Sequence, residues 1–75
     1  MPRGRTPPAS SLDVARRHVS EAQDRVLRQE EIVLEMERAG QTEAARVGRD
    51  LLDMMRSALD LARRHLERLE NDQRQ

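Results

Sequence analysis

Two near copies of one hexad hold the side chains with the most chemical reach. They are Val14-Ala15-Arg16-Arg17-His18-Val19 and Leu61-Ala62-Arg63-Arg64-His65-Leu66. Imidazole is a good metal ligand, and a guanidinium recognises anions bidentately. If the chain reverses near Gln41, the two copies meet at one end. Arg16, Arg17, His18, Arg63, Arg64 and His65 then form a candidate contact for an anion or a partner.

Three readings of that end stand side by side. A metal could be held by both histidines, joined by two from a partner subunit. Neither His is preceded by Glu-x-x, as in carboxylate-bridged di-iron bundles, and no His-Glu-x-x-His occurs. No metal ligand is therefore assigned. A basic end, with Arg68 added, could grip phosphate, but Glu21, Glu67 and Glu70 dilute its charge. The default is that His and Arg sit at the margin of a bundle, their stems covering apolar surface.

Glu30, Glu31, Glu35 and Glu37 form an acidic cluster. Paired carboxylates serve acid/base catalysis when a cleft drives their pKa values apart. These lie mostly outside the apolar seam, with Arg46 and Arg49 expected across from them, so a solvated, charge-paired face is the plainer reading. No Ser/His/Asp set, no glycine-rich phosphate loop and no aromatic for base stacking is present. No catalytic residue, cofactor or small-molecule substrate is assigned, and the chain is not read as an enzyme.

The elements that carry these groups follow from apolar spacing. Leu12, Ala15, Val19, Ala22, Val26, Gln29, Val33 and Met36 recur at alternating steps of three and four, an a/d helical seam. Gln29 is its one polar member, suited to fixing register. Ser10 or Ser11 caps this helix, and Asp13 lies in its first turn. Arg38-Ala39-Gly40-Gln41-Thr42-Glu43 is the turn signal, with Gly40 in the left-handed region and Thr42 as the next N-cap. The second arm carries three apolar columns. Val47, Leu51, Met54, Ala58, Leu61 and His65 form one, Leu52, Leu59 and Leu66 a second, and Met55, Ala62 and Leu69 a third. Leu27, Leu34 and Ile32 widen the stripe of the first arm. Each helix is thus broad enough in apolar surface for two neighbours.

Composition sets the outer bounds. Seventy-five residues without cysteine or any aromatic make one small, marginal core, and oligomerisation is the staple that remains. Fourteen basic and fourteen acidic residues balance, giving no net pull toward nucleic acid or anionic lipid. Every basic residue is Arg, which reads as the codon bias of a GC-rich genome. No apolar run is long enough to span a membrane, and the N-terminus lacks the apolar core of a signal peptide. The expected address is the cytoplasm.

His18-Val19-x-Glu21, Arg25-Val26, Gln29, Gly40, Thr42, Leu51-Leu52, Met55, Leu59 and His65 together resemble short, uncharacterised helical-hairpin proteins of GC-rich proteobacteria, over about residues 12–69. The resemblance implies a bacterial coiled coil and no particular activity. The layout is also similar to that of the Rop-type RNA-binding bundles, as a layout alone, with no RNA-face residues to carry over.

The resulting expectation is an all-α chain. Residues 1–10 form a disordered arm, helices span 11–39 and 43–71 about a turn at 40–42, and residues 72–75 fray. Two such hairpins pair as a homodimeric four-helix bundle through Val19, Val26, Val33, Leu51, Leu52, Met55, Leu59 and Leu66. The expected role is a non-enzymatic interaction protein, for itself or an unidentified protein partner. Phosphate or nucleic-acid binding at the Arg-rich end is the alternative.

Overall fold

The computed structural model describes residues 10–74. The arm expected over residues 1–10 lies, except for Ser10, outside the described residues, as does Gln75. The chain is an antiparallel helical hairpin of α1 (Ser11–Arg38) and α2 (Thr42–Arg74).

Each boundary has a local cause. Ser10 is extended, and its side-chain oxygen accepts a hydrogen bond from the Asp13 N–H at 3.1 Å, satisfying one of the orphan donors of α1. At the other end Gly40 takes φ +75°, the left-handed region open to glycine. The Gly40 N–H donates to the Glu37 carbonyl at 3.1 Å and the Gln41 N–H to the Met36 carbonyl at 2.9 Å. That pair of bonds is a Schellman closure. It reverses the chain within Ala39–Gln41, so α2 restarts one residue earlier than expected. Gln41, not Thr42, occupies the N-cap, its carbonyl accepting from the Ala45 N–H at 2.9 Å. The tail expected to fray from residue 72 instead stays helical to Arg74. No Gly or Pro follows Gly48, and the polar tail residues include good helix formers.

The α1 seam packs as its spacing predicts. Ala15, Val26, Gln29 and Val33 are buried, and Leu12, Val19, Ala22 and Met36 are half-buried. In α2 the structure selects among the three columns. Ala45, Gly48, Leu52 and Leu59 are buried, and Met55, Ala62, Leu66 and Leu69 are half-buried. The second and third columns therefore face α1, while Val47, Leu51, Met54, Ala58, Leu61 and His65 are all exposed. The reason lies beside the turn. A three-residue connection brings the helices close, and small residues at 45 and 48 fit there. A Cβ on Gly48 would stand 3.0 Å from Val33 Cγ2 and 3.6 Å from Met36 Sδ. The first column would have set Val47 and Leu51 in that space.

The approach at Gly48 also satisfies the polar member of the seam. Gln29 Nε2 donates to the Gly48 carbonyl at 3.0 Å. A buried amide left without that acceptor would cost about 1–3 kcal/mol. The bond forms only when Gln29 stands opposite Gly48, so it favours one register of α2 along α1.

Candidate interaction surface

The repeated hexads do reach the same end of the hairpin, but the fold distributes their side chains around it. His18 and His65 are exposed and line one hollow of about 230 Å³ with Ser11, Val14 and Ala15. Arg16 leans on Asp13 at 3.7 Å. Arg63 lines a separate hollow with Val26, Arg56 and Leu59. Arg64 is 3.6 Å from Asp60 and borders a third hollow with Leu61, Glu67 and Arg68. Arg17 is exposed. Arg16-Arg17-His18 and Arg63-Arg64-His65 each step about 100° per residue around their helix, so the two histidines converge while the guanidinium groups spread. Among the described residues no group of three His, Cys, Asp or Glu is placed to hold a metal ion. The hollows are open dimples on a single layer of helices.

The acidic cluster meets partners from α2. Glu37 accepts from Arg49 at 2.6 Å and Glu30 from Arg56 at 2.8 Å, both across the hairpin and both roughly half-exposed. Arg46, expected opposite the cluster, pairs with Glu43 in its own first turn at 3.3 Å. Arg56 also approaches Asp53 at 3.9 Å. These pairs close one long edge of the molecule. Surface pairs of this kind contribute about 0.2–1 kcal/mol each.

The residues read as self-association contacts divide. Val26, Val33, Leu52 and Leu59 are buried inside one hairpin, with Val19 and Met55 packed against that cluster and Leu66 half-buried. Leu51 is 43% exposed. Large apolar side chains with open surface form a different set. Val47, Met54 and Leu61 are each more than 60% exposed on α2, and Leu27 (60%) and Leu34 (48%) on α1. Val47, Leu51, Met54, Ala58 and Leu61 run at steps of four and three, making one continuous stripe about a quarter-turn from the buried face. The stripe is visible in the spacing. What separates it from the buried columns is the small pair Ala45 and Gly48, which the spacing alone does not weigh.

No helix among the described residues is long and apolar enough to cross a membrane. No protein-family model, curated protein or solved structure matches this chain.

Proposed function

We propose that this protein is a non-enzymatic helical interaction module that pairs with itself as a homodimer, two hairpins together making a four-helix bundle. The observation that carries this reading is the balance of apolar side chains. Six large ones stand exposed, while the buried apolar core is Val26, Val33, Leu52 and Leu59 with two alanines. Covering one Val, Leu or Met side chain is worth about 1.5–3 kcal/mol. Large exposed apolar patches mark association surfaces in water-facing proteins. A core this small is also marginal without further burial.

The non-enzymatic part rests on shape. Two helices form one layer about 10–12 Å thick. Such a layer gives a reacting group little shielding from water, and that shielding is where electrostatic catalysis gains its strength. Sedimentation equilibrium at micromolar concentration tests the reading. The expected mass is twice the 8.7 kDa of one chain. A helical, cooperatively melting monomer would remove the self-association claim. A protein that pairs only with a foreign chain would leave the interaction role and end the homodimer.

A further inference from the structure

Resting on the self-association reading, the structure also carries a statement of which surface pairs and in which direction. We infer that a second copy of this chain seats its α2 antiparallel on this α2, with the two-fold axis passing beside Met54.

The stripe is almost symmetric about that residue. Val47 and Leu61 lie seven residues to either side of Met54, with Leu51 three before and Ala58 four after. An isologous two-fold contact requires such self-complementarity, because each position must meet its own mirror in the partner. In the antiparallel arrangement Met54 meets the partner's Met54, and Val47 meets the partner's Leu61. Leu51 meets the partner's Ala58, so a large side chain faces a small one and the two surfaces interdigitate.

Charge decides the direction. Beside the stripe, on the side away from α1, Glu43, Asp50, Ser57 and Arg64 follow at seven-residue steps, and all are exposed. Antiparallel pairing brings Glu43 against the partner's Arg64, and Asp50 against the partner's Ser57. The two-fold axis makes each contact twice. In parallel pairing the two-fold axis would run along the helices and carry this row to opposite sides of the two copies, so Glu43 and Arg64 would never meet and the charge pairing would be lost. Arg64 is available, since its approach to Asp60 is long at 3.6 Å and both side chains are more than 60% exposed. The neighbouring side of α1 carries exposed Arg25, Arg28 and Glu35. The apolar contact is therefore α2 on α2, not one whole layer on another.

The absence of cysteine makes the test direct. Single-cysteine variants are oxidised at micromolar concentration and read on a non-reducing gel, with helicity checked by circular dichroism. Met54→Cys should form a disulfide-linked dimer at least about ten-fold faster than Val47→Cys or Leu27→Cys alone. An equimolar mixture of Val47→Cys and Leu61→Cys should link into a heterodimer that neither forms alone. Rapid self-linking of Val47→Cys would mean parallel pairing and overturn the inference. A protein that sediments as a dimer yet fails to link through Met54→Cys, and through the Val47→Cys with Leu61→Cys mixture, overturns it too, while the self-association reading stands. A protein that sediments as a monomer overturns both.

Discussion

The two long edges of the hairpin are finished in different chemistry. Along one, Glu30 and Glu37 of α1 reach Arg56 and Arg49 of α2, and the ion pairs bridge the seam over its middle and turn-proximal parts. Along the other, the equivalent heptad positions hold His18, Arg25 and Ile32 on α1 and Leu51, Ala58 and His65 on α2. Among the described residues no ion pair joins the helices there. A half-exposed ion pair is content with water around it, so these pairs need no further cover, although Leu34 stands open beside them in one hollow with Glu30, Arg49 and Arg56. Apolar side chains gain by leaving water, and beside the second edge the stripe from Val47 to Leu61 stands open to it. One fold thus separates the edge that helps close the hairpin from the edge proposed to meet a second copy.

The sharpest way to break that separation compares a residue of the core with one of the stripe, at concentrations low enough for single chains. Leu52 is 6% exposed and Met54 is 69% exposed. Leu52→Ala should lower the free energy of unfolding by about 2–5 kcal/mol, as large-to-small changes in a core do. Met54→Ala should stay within about 0.5 kcal/mol of the parent. Urea titration followed by circular dichroism measures both. Equal losses would mean that the stripe stabilises the single hairpin, and the contrast between the edges would vanish.

A smaller effect is expected at the turn, which fixes which residues face each other. Gly40 sits at φ +75°, and a Cβ built there meets nothing within 4 Å. The Cβ itself has room, so the cost of Gly40→Val is set by the left-handed backbone, about 1–2 kcal/mol. Gly40→Asn should cost less, because Asn tolerates the left-handed region. If Val and Asn prove equally harmless in the same titration, the turn does not depend on that conformation.

The α1 seam was legible from spacing, since its steps of three and four run unbroken from Leu12 to Met36, while Leu27, Leu34 and Ile32 only flank it. Ser10, Gly40 and the reversal beside it were legible for the same local reason, as capping chemistry needs few neighbours to be read. The face of α2 was not. Its three columns are each apolar, and the choice among them is made by close packing, through the fit of Gly48 and Ala45 against Val33 and Met36. The Arg-rich end was legible as a juxtaposition, and the histidines do share a hollow. The scatter of the guanidinium groups follows from helical geometry: three adjacent residues in one helix point in three directions.

The smallest expected effect bears on the closed edge itself. The Glu30–Arg56 bond is short, at 2.8 Å, yet the two side chains are 39% and 52% exposed. Water and salt screen a pair in that position, and holding two long side chains in one geometry costs rotamer entropy. A double-mutant cycle of Glu30→Gln and Arg56→Gln should therefore return a coupling of about 0.2–1 kcal/mol. The coupling should shrink further in about 1 M salt, where the screening length falls to about 3 Å. A coupling well above that range would make the ion pairs a main support of the hairpin instead of its trim. The charged edge would then carry the stability assigned here to Val26, Val33, Leu52 and Leu59. A coupling indistinguishable from zero would leave the edge defined by its Arg and Glu stems alone, shielding the seam through their methylenes. The two outcomes are told apart by salt, because packed methylenes do not respond to it and paired charges do.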